Sequence, residues 1–188
     1  KNVLIDSGVG LDKSGEFQVQ YVPDGNNYIG TRIDLIILTH KHGDHVWSLP
    51  AVVWYHPEAL VLMSDKTFDG AQIALEDSFK IATKEAKNAQ RMGLSIQKPV
   101  FTADQLDFFY SNPNLRVVEL PFWVNLNEEF GADEWSGWEV GLASAGHDVG
   151  AASVSIIAPS GDGFFLTGDT ASHDTVVPGV MLADSKFT

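Results

Sequence analysis

The chain has 188 residues, 44% of them hydrophobic and 20% charged, with a net charge of −13. This composition suits a single globular domain over residues 1–188 with a sizeable core, and the acidic balance opposes a nucleic-acid partner, whose phosphates need a basic footprint. No apolar run reaches the ~18 residues of a membrane span. The absence of cysteine excludes disulfides and thiolate ligands, so any zinc must be held by His and carboxylate.

Val3-Leu4-Ile5-Asp6 predicts a short buried strand, stopped by Ser7-Gly8-Val9-Gly10. From Leu11 to Gly30 the chain is polar and punctuated by glycine, the pattern of a loop. Ile33 to Leu38 is a nearly continuous apolar run, as a strand buried on both faces requires. Val61-Leu62-Met63 is a second such strand, and Ser64 or Asp65 can cap a helix starting near Lys66. Phe68, Gln72, Leu75, Phe79, Ala82, Ala86 and Ala89 recur at three- and four-residue steps along that helix, which Gly93 ends. Val100 to Tyr110 has no clear period. Arg116–Leu120 and Trp138–Ala143 read as strands, and the acidic stretch Asn125–Glu139 between them as a hairpin or lid loop. Val154–Ala158 and Gly163–Thr167 flank Ser160-Gly161-Asp162-Gly163, a hairpin with a glycine-rich turn. Strands with interspersed helices indicate a mixed α/β domain.

The chemistry concentrates in Thr39-His40-Lys41-His42-Gly43-Asp44-His45, directly after the Ile33–Leu38 strand. Alternate residues of an extended segment face one way, so His40 and His42 point together toward one metal, while Asp44 and His45 can face a second. Imidazole nitrogen and carboxylate oxygen bind zinc at about 2.0–2.2 Å. His147 lies in Ala145-Gly146-His147-Asp148-Val149-Gly150, where small neighbours permit close backbone approach. Asp169 follows Gly168 at the end of an apolar strand, well placed to bridge two metals. His56, in Trp54-Tyr55-His56-Pro57-Glu58, reads as a structural or surface residue. The tryptophans read as core, with Trp135 and Trp138 the ones that a substrate cleft could use instead.

THKHGDH, AGHDVG and LTGDT, in that order, resemble the metallo-β-lactamase superfamily, with the lactonase-like members nearest, and the match runs from about Asn2 to Thr170. The resemblance implies an αββα sandwich with the metals at the sheet edges. His40, His42 and His147 would form the first site; Asp44 and His45 would join the second, with Asp169 bridging. Asp6, at the end of VLID, would support the site from behind its ligands. Two zinc ions would activate a water for attack on a carbonyl such as that of a lactone, ester or β-lactam, with Asp44 the catalytic proton shuttle. The partner expected is a small-molecule substrate, with neither nucleic acid nor membrane. The alternatives are a phosphodiesterase or tRNase Z-like nuclease, which the charge opposes, and a non-catalytic metal-binding member of the fold, which the intact ligand set opposes. Iron-based members carry Glu at the position of His42, so His42 favours zinc.

Two departures stand out. GHDVG places Asp148 and Val149 where the family commonly has Thr-Pro. The family also supplies one more His a few tens of residues after the bridging Asp, whereas the only His after Asp169 here is His173. Both ends read as cuts, so the sandwich is expected to be incomplete at each end, with about 40–80 further residues in the natural protein. The second zinc site would then be weak or empty in this segment, and His173 is the candidate extra ligand.

Overall fold

The computed structural model describes residues 1–11, 17–18, 32–94 and 99–171. It is a sandwich of two four-stranded sheets with helices packed on the first. The first sheet is parallel. Its strands β1 (Val3–Ile5), β4 (Leu35–Leu38), β5 (Leu60–Ser64) and β6 (Leu115–Val118) lie side by side in that order. A small antiparallel pair, β2 (Gly10–Leu11) and β3 (Phe17–Gln18), stands apart from it. The second sheet is antiparallel, in the order β10 (Gly163–Leu166), β9 (Ala152–Ile157), β8 (Glu139–Ser144) and β7 (Phe122–Asn125).

Burial on both faces explains the unbroken apolar runs. Successive strand residues point to opposite faces. Ile36 and Leu38 of β4, with Val61 and Met63 of β5, pack against the helices, together with Val52, Leu75 and Phe109. Leu35 and Ile37, with Leu60 and Leu62, face the second sheet and meet Val140, Leu142, Val154 and Ile156. Each such side chain stabilises the fold by about 1.5–3 kcal/mol on leaving water, and each strand serves two cores at once.

The helices are α1 (Gly43–Val46), α2 (Leu49–Tyr55), α3 (Asp65–Arg91), α4 (Ala103–Ser111) and α5 (Leu126–Phe130). Ser64 caps α3, its Oγ accepting from Thr67 N at 3.1 Å. The region without a clear period is in fact α4, opened by a capping box. Thr102 Oγ1 accepts from Gln105 N, and Gln105 Oε1 accepts from Thr102 N. The acidic stretch is not a lid. It folds into α5 and a 3-10 turn at Asp133–Trp135, which puts Trp135 at 2% exposure between the sheets with Trp138 against it. Neither tryptophan lines a cleft. Among the described residues no helix covers the outer face of the second sheet, so the observed layers are helix, sheet and sheet of the expected sandwich.

The chain leaving β1 is bound to the start of α1. Ser7 N donates to His45 O, Val9 N donates to Gly43 O, and Ser48 N donates to Ser7 O. Between them Gly8 passes so close that an added Cβ would lie 1.8 Å from the carbonyl carbon of Asp44. Backbone cannot yield as a flexible side chain can. Gly8→Ala should therefore lower stability by about 2 kcal/mol or more and displace the Asp44–His45 segment. Chemical denaturation, with the His45 ring resonances followed by NMR, measures both effects; a variant with wild-type values in each contradicts this account.

Candidate metal centre

Four loops meet at one edge of the sandwich because each follows the C-terminal end of a strand. Asp6 follows β1, the His40–His45 segment follows β4, His147 follows β8, and Asp169 follows β10. Cross-links hold the loops in register. Ala152 N donates to Thr39 O at 3.0 Å, Ala145 N donates to Ala151 O at 2.9 Å, and Gly146 forms a bridge with Thr170.

Their side chains converge. His40 Nε2 lies 3.0 Å from His42 Nδ1, which lies 3.3 Å from His147 Nε2. Asp169 Oδ2 stands 3.8 Å from His40 Nε2, 3.8 Å from His45 Nε2 and 3.7 Å from His147 Nε2. Two groups that share His40, namely His40–His42–His147 and His40–His45–Asp169, could hold a metal ion. Asp44 adjoins the second group, with its Oδ2 3.7 Å from His45 Nε2 and its side chain exposed. His56 lies far from the centre in the fold and its Nδ1 accepts from Ile33 N at 3.4 Å, a structural contact. His173 lies outside the described residues.

The hydrogen bonds behind the ligands determine which nitrogen faces inward. Thr39 has one hydroxyl hydrogen, and Oγ1 gives it to Asp6 Oδ2 at 2.8 Å. It must then accept from His40 Nδ1, 3.0 Å away, which leaves the Nε2 lone pair of neutral His40 aimed at the cluster. His45 Nδ1 donates to Asp6 Oδ2 at 2.7 Å, which in the neutral ring leaves the Nε2 lone pair free. Asp6 also accepts from Thr39 N at 2.7 Å, and it adopts φ +64°, a conformation that non-glycine residues rarely take.

This donor set fits a zinc ion. Ligands about 2.0–2.1 Å from a tetrahedral ion stand roughly 3.3 Å from one another, close to the spacings found. The spacing therefore suits groups gathered around one cation. Burial, then the neighbouring imidazoles of His45 and His42, lower the pKa of His40 to about 4, although Asp169 acts in the opposite direction. The ligand is therefore in its metal-binding neutral form. Asp148 was unforeseen from the sequence except as a motif departure. Burial acts to raise its pKa, but its bonds from Lys41 and from the Val149 N–H outweigh this and hold the pKa below the usual carboxylate value.

The sequence matches the family model of the metallo-beta-lactamase superfamily over residues 1–177. The chain belongs to that superfamily. The chain is also similar to solved structures. One is a "probable metal-dependent hydrolase" from Staphylococcus aureus, 19% identical, with a TM-score of 0.46, covered over 89% of this chain and 53% of its own. Another is a metallo-β-lactamase with an HARLDQ motif from Cronobacter sakazakii, 18% identical, with a TM-score of 0.44 over 87% and 52% of the two chains. A third is the hydrolase AbOPH of the β-lactamase superfamily, 24% identical, with a TM-score of 0.47 over 90% and 52%. The chain thus spans about half the length of these solved chains. No curated protein matches the sequence at a significant level.

The state of His40 has a consequence for pH. Its pKa falls from 6.5 in the unfolded chain to about 4 in the fold. Between those values the unfolded chain binds a proton that the folded chain does not, so the metal-free protein loses stability as pH falls from 6.5 toward 4. Denaturation of chelator-treated protein at pH 7 and pH 5 should show this loss, and His40→Gln should flatten the slope. Equal slopes for the two proteins would refute the assignment.

Proposed function

We propose that the chain is the metal-binding core of a zinc-dependent hydrolase of an uncharged carbonyl substrate, a lactone, ester or β-lactam. The observation that carries this reading is the convergence of imidazole nitrogens from His40, His42 and His147, with Asp169 shared toward His45. Zinc held by these residues would supply a bound water with its pKa lowered toward ~7 and polarisation of a carbonyl oxygen.

The remaining work falls to the chain's own groups. Asp6 and Thr39 keep His45 and His40 in the ligating tautomer and orientation. Asp44, exposed at the mouth beside His45, is free to take a proton from the attacking water and deliver it to the leaving group. No protein nucleophile is required, which accords with the lack of cysteine.

A cavity of about 660 Å³ opens beside His42. Among the described residues its wall includes Val9, Trp47, Phe79 and Phe101. Lys41, Asp77 and Glu85 also line it. A mostly apolar wall suits an uncharged substrate group, and the net charge of −13 disfavours a phosphodiester. A small-molecule substrate is therefore the expected partner.

Three measurements test this. Elemental analysis of protein purified without chelator should find zinc, and its absence with no uptake on titration would overturn the reading; iron as the dominant metal would overturn the identity of the ion. Hydrolysis of a lactone should far exceed that of bis(p-nitrophenyl) phosphate, and the reverse ranking would favour a phosphodiesterase. Asp44→Asn should cut kcat on the order of 10²-fold, while His56→Ala should leave it nearly unchanged. Equal losses in the two variants would show that the role of Asp44 is misassigned.

A further inference from the structure

Two of the inward-facing histidines are gripped from behind, His40 by Thr39 and His45 by Asp6. His42 belongs to the same cluster but is the more exposed, with 45% of its side chain open to solvent. Its outer nitrogen, Nε2, faces Asp148 Oδ2 at 3.5 Å. That carboxylate is itself fixed: Oδ1 accepts from Val149 N at 2.7 Å, and Oδ2 accepts from Lys41 Nζ. Lys41 sits between the two ligands His40 and His42, and Asp148 directly follows the ligand His147.

Both ends of this pair are anchored on α3. The Lys41 stem crosses the helix at Gly70, where an added Cβ would lie 2.1 Å from Lys41 Cδ. A glycine inside a helix costs about 1 kcal/mol relative to alanine, and room for Lys41 gives this one a reason. On the other side, Gly150 O accepts from Ser64 Oγ at 2.7 Å and from Thr67 Oγ1 at 2.9 Å. The first turn of α3 thereby holds the loop that carries Asp148.

We propose that Lys41 and Asp148 are positioning residues of the first metal site. Their ion pair joins the two ligand-bearing loops, and Asp148 sets the His42 ring so that Nδ1, not Nε2, faces His40 and His147. The proposal rests on the metal reading of the cluster. Lys41 neutralises Asp148 and leaves the carboxylate oriented rather than free to swing inward and ligate. The pair spans residues far apart in sequence, and each member is partly buried, with 31% and 23% of the side chain exposed. It is therefore screened less than a surface ion pair.

The test is zinc affinity by competition with a chromophoric chelator, together with the visible spectrum of the cobalt-loaded protein. Wild-type, Asp148→Ala, Asp148→Asn, Lys41→Met and Gly70→Leu proteins are compared. The exposed pair Lys66–Asp69 supplies a control, Lys66→Ala. Asp148→Ala should weaken zinc binding roughly 10- to 100-fold and alter the cobalt spectrum. Lys41→Met and Gly70→Leu should move both in the same direction, and Lys66→Ala should move neither. Lys41→Met added to Asp148→Ala should cost little more, because each removes the same contact. Asp148→Asn keeps the shape and removes the charge, so it reports on the pair even if the alanine variant folds poorly. Wild-type zinc affinity and an unchanged cobalt spectrum in Asp148→Asn and Lys41→Met would overturn the proposal, as would a fall in thermal stability alone. A wild-type protein that takes up no zinc would instead overturn the metal reading beneath it.

Discussion

The carboxylate of Asp6 is the contact on which the candidate metal centre depends. It leaves β1 at φ +64° and accepts from the Thr39 amide, the Thr39 hydroxyl and His45 Nδ1. A left-handed conformation costs a non-glycine residue roughly 1–2 kcal/mol. Hydrogen bonds to a charged group contribute about 1.5–3 kcal/mol each, so three of them outweigh the strain. The conformation persists because it is the one that aims both carboxylate oxygens at the β4 exit. Through Thr39 the same carboxylate fixes the tautomer of His40, so one residue orients a ligand in each of the two groups.

This arrangement needs a platform that does not shift. Asp6 and Thr39 lie at the ends of adjacent parallel strands, paired through Val3–Leu35, Leu4–Ile36 and Ile5–Ile37. β4 is buried along its whole length, packed by helices on one face and by the second sheet on the other. Sliding either strand by one residue would exchange its two faces and disrupt both cores. Register is thus fixed by packing far from the site, and the ligands inherit that precision. The second sheet delivers His147 and Asp169 by the same means, tied to the first through Ala152 N and Thr39 O.

The sequence was most legible where local pattern and tertiary role agree. The apolar runs of β4 and β5, the capped start of α3 and the clustered histidines all announce themselves within a few residues. Other elements lacked such a signal. The segment Leu49–Tyr55 is nearly all apolar, so periodicity alone could not mark it as α2. β7 is short and carries Trp123 on the exposed face, a weak strand pattern. The acidic residues around Trp135 suggested a loop, yet one indole buried between the sheets determines how that stretch folds. α4 could have been found, because Thr102 and Gln105 form a capping box at the proper spacing. Asp148 could not: its partner Lys41 lies in another loop, and no local rule links them. In the sequence it registered only as a departure from a motif.

The same contacts that order the ligands also store electrostatic cost. Asp6, Asp44, Asp148 and Asp169 gather around the centre with Lys41 as the ammonium beside them. Carboxylates crowd this one edge, and burial first of all keeps His40 from taking a proton that would offset them. Folding alone therefore assembles an arrangement that its own charges oppose, and the energy is supplied by cores on both sides of β4. A divalent cation would reverse the sign of the local interactions, setting each carboxylate beside a positive charge. Any ion that binds the folded chain and not the unfolded one adds its binding energy to stability. A strained, preorganised cluster spends little of that energy on rearrangement, so fold and metal affinity draw on the same contacts.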